Sequence, residues 1–178
     1  MKKNKMLTLV LTAVALQSLS AFADNLYTLS WRGTAYTTDA NGKIVARSLT
    51  EKDVVNQIAS DNGLNPRDLV FVYRADKLDT AVVMRTNGLF VADWQQVQYN
   101  FTTINNTANT DAVMQSFIFD ENHSNAIGSL FGTIKEKRDS NGNLTSFSFH
   151  GNFQYALPEA STIVSGTFST GKKVNETF

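Results

Sequence analysis

Residues 144–155 read LTSFSFHGNFQY, and from Ser146 onward polar and apolar side chains alternate. A β-strand directs successive side chains to opposite faces of its sheet, so this period of two is typical of a strand with one buried face. The residues predicted to face the core are Phe147, Phe149, Gly151, Phe153 and Tyr155. The residues predicted to face water are Ser146, Ser148, His150, Asn152 and Gln154. The stretch therefore predicts one long strand with an aromatic inner face.

The segments around this strand predict an antiparallel meander. Residues 112–119, 127–137 and 162–169 are further strand candidates, and short turns separate them. Glycines interrupt the predicted strands at Gly132, Gly151 and Gly166. Because a glycine inside a strand is typical of a bend or bulge, we expect the sheet to be curved.

The first half of the chain adds shorter strands. Alternation over 27–35, followed by the turn at 39–42 and an apolar return at 44–49, predicts a hairpin. The runs LVFVY at 69–73 and AVVM at 81–84 are apolar at every position, as expected of adjacent strands buried on both faces. Segments 89–92 and 97–103 predict two more strands, whereas the polar run NNTANT at 105–110 predicts an exposed loop.

One helix is predicted at about residues 51–62. Thr50 suits the N-cap position, and Asp53 lies three residues later, where a capping box has its acidic member. Gly63 favours termination, and Pro66 prevents continuation. The apolar stripe of this helix would consist of Val54, Val55, Ile58 and Ala59.

These elements predict a mainly β fold with a minor α contribution. We expect a curved antiparallel sheet that forms either a sandwich or a partial barrel, with the single N-terminal helix packed against it. No linker interrupts residues 24–178, so they are predicted to form one β-rich globular domain.

Residues 1–23 have the three parts of a secretory signal peptide. Lys2, Lys3 and Lys5 give a basic start, a mainly apolar run occupies 6–16, and Ala21-Phe22-Ala23 precedes Asp24. The apolar run would rise only about 16 Å as a helix, against roughly 30 Å of hydrocarbon, so it is too short to span a membrane. We predict cleavage between Ala23 and Asp24 and export of the chain to a periplasm or out of the cell. The mature chain is then expected to have no membrane span.

The composition excludes several kinds of partner and site. Cleavage would remove three of the 16 basic residues, leaving 13 against 16 acidic residues and a net charge of about −3. That charge does not favour nucleic acid as a partner. The chain has no cysteine, which excludes disulfides, thiol nucleophiles and thiolate metal ligands. The lysine-led start and the lack of cysteine together indicate a bacterial protein.

Three short motifs suggest chemistry but have simpler interpretations. The run GTFSTGKK at 166–173 nearly matches the phosphate-binding loop, but Lys173 replaces the magnesium-binding hydroxyl and too few residues follow for the required helix. We interpret it as a strand that ends in a glycine turn. The runs DANGK at 39–43 and DSNGN at 139–143 hint at calcium loops, but their glycine comes fourth instead of sixth, so hairpin turns explain them better.

Asp120, Glu121 and His123 form an acidic cluster with a histidine in a predicted polar turn. A general base or a metal ligand set can be built from such residues, but a solvated loop explains them more simply. His150 is expected on the exposed face of its strand. We therefore predict no catalytic residue, no metal site and no cofactor, and we keep an exported hydrolase that uses this cluster as an alternative.

The tryptophans differ in their surroundings. Trp31 shares its predicted face with Tyr27 and Leu29, so core packing is expected. Trp94 lies between polar neighbours, which is typical of a half-exposed platform for a sugar or a small apolar ligand. The candidate ligand-binding residues are Asp93, Trp94 and Gln95.

The sequence therefore predicts an exported, non-catalytic binding or structural protein whose partner is a small molecule, a glycan or another protein. An alternative is a carrier with an apolar cavity inside the curved sheet, lined by Phe147, Phe149, Phe153 and Tyr155. The hydrolase is the second alternative.

Overall fold

The computed structural model describes residues 25–94, 96–103, 109–119, 124–157 and 160–174. Within these ranges the chain forms a ten-stranded antiparallel sheet, one α-helix and one short 3₁₀ helix. The elements are β1 (Leu26–Thr38), β2 (Ile44–Thr50), α1 (Glu51–Asn62), the 3₁₀ helix (Pro66–Asp68), β3 (Leu69–Arg74), β4 (Asp79–Met84), β5 (Phe90–Trp94), β6 (Gln96–Thr103), β7 (Asn109–Phe119), β8 (Ala126–Arg138), β9 (Leu144–Leu157) and β10 (Thr162–Lys173). The predicted mainly β fold is confirmed.

Strand β1 organises the sheet. One of its edges pairs with β10, and its other edge pairs first with β3 and then with β2. The sheet order is β5-β4-β3-β1-β10-β9-β8-β7-β6, so strands β7 to β10 form the predicted meander, and β6 extends it by one strand. Residues 1–23, including the predicted signal peptide, lie outside the described residues, as does Asp24.

The order of the strands requires the sheet to curl. Strands β5 and β6 are the two outermost strands of the sheet path, yet β5 ends at Trp94 and β6 begins at Gln96. Two residues of extended chain span at most about 7 Å, so the two edges meet at this corner. Of the two predicted alternatives, the partial barrel is therefore the one that is found: the sheet is a strongly curled half-barrel.

Glycine pairs allow neighbouring strands to approach closely along this curve. Gly151 lies opposite Gly132, and Gly166 lies opposite Gly33. A Cβ atom on Gly151 would be 2.0 Å from the carbonyl oxygen of Phe131. No side chain fits at that distance, so these positions require glycine.

Helix α1 begins and ends where the sequence predicts. The Thr50 side chain and the Asp53 carboxylate form a capping box, and Gly63 adopts the left-handed conformation that ends the helix. The predicted apolar stripe is buried in the same core cluster as the inward-facing residues Phe71 and Tyr73 of β3. Burial of each such side chain contributes about 1.5–3 kcal/mol to folding.

Strands β3 and β4 are buried on both faces, as predicted. Leu69, Phe71 and Tyr73 face the inside of the half-barrel. Val70 and Val72 belong to a second, smaller cluster on the outer face. No helix in the described ranges is long and apolar enough to cross a membrane.

Two local predictions are wrong. Asn109 and Thr110 were expected in a loop, but they begin β7 and pair with Lys137 and Glu136 of β8. Pairing along a long hairpin outweighs their polar composition, since every backbone group in the ladder gains a partner. Likewise Gly171 does not end its strand, because β10 continues to Lys173.

Candidate ligand-binding cavity

The half-barrel contains a cavity of about 110 Å³. Its lining comes from the helix and from the inner faces of strands on both halves of the sheet, and it is almost entirely apolar and aromatic. Several lining residues, among them Trp31, Trp94 and Phe153, are only partly buried, so the cavity reaches solvent on their side. None of the described lining residues is charged.

Aromatic contacts hold the walls of the cavity in place. The Trp94 ring stacks on Phe71 with centroids 5.2 Å apart and an interplanar angle of 7°. The Trp31 ring meets Phe153 edge to face at 5.4 Å. Such pairs contribute about 0.5–1.5 kcal/mol each beyond the burial of their area, so this part of the wall is stable without a ligand.

Strand β9 supplies one wall, as its alternating sequence predicts. Phe149, Phe153 and Tyr155 line the cavity. Phe147 lies on the same face but packs against Tyr27 with ring centroids 5.1 Å apart and is not part of the lining. Three of the four aromatic residues expected in a carrier cavity therefore line it. His150 lies on the opposite face and is exposed, as expected.

The predicted binding residues Asp93 and Trp94 do not converge. Trp94 lines the cavity, whereas Asp93 is exposed and lies 3.5 Å from the Arg74 guanidinium. Successive residues of a strand face opposite sides of the sheet, which explains the separation. Gln95 lies outside the described residues. Their joint role as a glycan platform stays a prediction.

A row of inward-facing residues crosses the sheet at Trp94. Tyr73 of β3 pairs with Thr80 of β4, and Thr80 pairs with Trp94 of β5. All three line the cavity. Strands lie about 4.8 Å apart, so the first and last members of the row have backbones about 10 Å apart. We call these residues the Tyr73–Thr80–Trp94 row.

Tyr73 has an unpaired hydroxyl group. Its side chain is 1% exposed, and its ring contacts Phe147 and Phe149 with centroid distances of 5.8 and 5.1 Å. Within the described part of the chain, Tyr73 Oη has no hydrogen-bond partner, and neither has Ser116 Oγ on the inner face of β7. Burial, reinforced by the negative charges of Asp79 and Glu136, raises the pKa of Tyr73 well above its ordinary range. The hydroxyl therefore keeps its proton and can donate.

An ion pair on the outer face is the main feature that the sequence reasoning missed. Arg74 and Asp79 flank the turn between β3 and β4, and the guanidinium donates two hydrogen bonds to the carboxylate. Arg74 also lies over the Phe90 ring, 4.7 Å from its centroid. Burial raises the pKa of Asp79, although the Arg74 charge and hydrogen bond oppose that change. This pair closes a hairpin and does not reach the cavity.

The other acidic motifs take part in turns. Asp39 accepts hydrogen bonds from the backbone N–H groups of Asn41 and Lys43, and Asp139 does the same for Asn141 and Asn143. The hydrogen bonds from Asn143 lower the pKa of Asp139. Both carboxylates are thus engaged in hairpin turns, which supports that interpretation over calcium loops.

Asp120, Glu121 and His123 lie outside the described residues. In the residues that are described, no group of three or more histidine, aspartate or glutamate side chains is arranged to hold a metal ion.

No protein-family model, curated protein or solved structure matches this chain.

Proposed function

We propose that the protein is a non-catalytic binding protein that takes a small, mainly apolar molecule into the half-barrel cavity. The cavity itself supports this proposal. Protein interiors are normally packed to crystal density, so an apolar cavity of about 110 Å³ that reaches solvent is an unusual feature. A ligand that covers its apolar lining would gain about 25 cal/mol for each Å² of apolar surface that it removes from water.

The size of the cavity limits the ligand. An engineered apolar cavity of about 150 Å³ in another protein stays dry and accepts benzene. The present cavity is somewhat smaller but partly open, so it suits one ring or a short alkyl segment, with any further part of the ligand projecting from the mouth. The carrier is therefore the form of binding protein that we favour.

Tryptophan fluorescence tests the proposal directly, since both tryptophans of the chain line the cavity. Titration with small aromatic and alicyclic molecules should shift the emission in a saturable way. Leu130→Phe, which adds volume to the wall, should weaken binding at least tenfold. The matched control is Phe131→Leu on the next position of β8, whose side chain is 53% exposed on the outer face and should leave binding unchanged. Equal effects of both variants would refute a cavity site.

We also propose that the chain is exported after cleavage between Ala23 and Asp24. The basic and apolar segments before this bond support export. Asn25, the second residue after the proposed cleavage site, is attached to the fold, because its backbone N–H donates to Asp76 at 2.8 Å. The intact mass of protein recovered from outside the cytoplasm should lack residues 1–23. A mass that retains them would contradict the proposal.

A further inference from the structure

We propose that the ligand carries an uncharged hydrogen-bond acceptor, such as a carbonyl oxygen, and that Tyr73 Oη–H donates to it inside the cavity. This inference rests on the proposed function and narrows its ligand class. It derives from a buried hydroxyl that has no hydrogen-bond partner among the described residues and belongs to a tyrosine in the cavity wall.

The position of Tyr73 favours a ligand as the missing partner. Buried hydroxyl groups in native proteins are almost always hydrogen-bonded, so an orphan needs a specific explanation. Contacts with the Phe147 and Phe149 rings fix the Tyr73 side chain within the core. Tyr73 belongs to the cavity wall, but its hydroxyl is almost fully covered when no ligand is bound, so an acceptor reaches it once a side chain that covers it moves aside.

The Tyr73–Thr80–Trp94 row sets the extent of the ligand. The backbones at its two ends lie about 10 Å apart, and the side chains reduce the space between them. The cavity volume of about 110 Å³ limits the apolar part of the ligand to about one ring. The apolar part would contact Trp94 and Phe71, and the acceptor would lie at the Tyr73 end.

The surroundings of Tyr73 favour an uncharged acceptor over an anionic one. Asp79 and Glu136 are close enough to disfavour a negative charge on the Tyr73 oxygen, and they disfavour a carboxylate at the same place. The nearby Arg74 cation is already paired with Asp79 and Asp93. A carboxylate would also lose its hydration in an uncharged, apolar cavity. Ketones, esters, amides and ethers are therefore favoured over fatty-acid anions.

Three probes of similar shape test the inference. Acetophenone carries a carbonyl, cumene carries no acceptor, and benzoate carries a charge. Calorimetric titration of the wild type, Tyr73→Phe and Tyr36→Phe compares their affinities. Tyr36 provides a matched control because the same atom is removed from a side chain that is 44% exposed. Circular dichroism before each titration confirms that the variants are folded.

The expected result is a loss of affinity for acetophenone but not for cumene. Tyr73→Phe should weaken the binding of acetophenone about threefold to tenfold, as expected for one lost hydrogen bond, and should leave the affinity for cumene unchanged. Tyr36→Phe should change neither affinity, and benzoate should bind the wild type more weakly than acetophenone. Tighter benzoate binding, or equal effects of Tyr73→Phe on acetophenone and cumene, would overturn the inference while the cavity proposal stands. If none of the probes binds the wild type saturably, the cavity proposal fails as well.

Discussion

Replacement of Tyr73 by Phe should stabilise the unliganded protein. The change removes one oxygen atom and leaves the ring contacts with Phe147 and Phe149 in place. In the unfolded chain the hydroxyl is hydrogen-bonded to water, whereas in the folded protein it is 1% exposed and unpaired. An unsatisfied buried polar group costs about 1–3 kcal/mol, and an apolar group of the same shape avoids that cost.

The magnitude can be converted into a melting temperature. For a domain of this size, 1 kcal/mol shifts Tm by roughly 2–4 °C, so the variant should melt about 2–12 °C higher than the wild type. Thermal unfolding followed by circular dichroism, with no added ligand, measures the shift. Urea unfolding provides a second estimate, and the midpoint should rise while the slope stays constant.

A destabilised variant would refute the reasoning. If Tyr73→Phe melted lower by several degrees, the hydroxyl would have a hydrogen-bond partner in the folded protein, and the proposed ligand contact would lose its basis. A saturating concentration of acetophenone should reduce the difference in Tm between the variant and the wild type, because only the wild type gains the new hydrogen bond.

Three further predictions concern the fold. Gly151→Ala should lower the free energy of unfolding by about 1–3 kcal/mol, because the new Cβ would lie 2.0 Å from the Phe131 carbonyl oxygen. An unchanged urea midpoint would contradict the close approach of the strands. Asp79→Asn should cost about 1–3 kcal/mol, because Arg74 loses the charged partner that is buried with it and keeps only the half-exposed Asp93, 3.5 Å away; a Tm at or above the wild-type value would contradict this. Burial raises the pKa of Tyr73 in the folded protein above 10.0, so the unfolded chain loses the Tyr73 proton first as the pH rises. The free energy of unfolding of the wild type should therefore fall more steeply above pH 10 than that of Tyr73→Phe, and parallel profiles would argue against this burial.

The sequence predicts the aromatic wall well because that wall depends on local alternation. In β9 the period of two places Phe149 and Phe153 on one face without reference to any other strand. The capping residues of α1 are equally local, so the helix bounds also agree with the sequence. The cavity is not local, because its volume depends on how far the sheet curls and on which strands face one another across it.

The candidate site also combines features that local alternation predicts with features that depend on how distant strands pair. Trp94 was identified from its polar neighbours, but the same alternation that places it inward places Asp93 outward. Tyr73 was missed because LVFVY is apolar throughout, and no pattern in such a run shows which face lines a cavity. The pairing of Tyr73 with Thr80, and of Thr80 with Trp94, joins residues whose relation the sequence does not reveal.

Nuclear magnetic resonance of the complex with acetophenone tests the central claim most directly. The account predicts nuclear Overhauser effects between ligand protons and the ring protons of Phe149 and Trp94, because both residues line the cavity. Effects confined to exposed side chains such as Phe131 and Ile44 would show that the ligand binds on the outer face and would contradict the account.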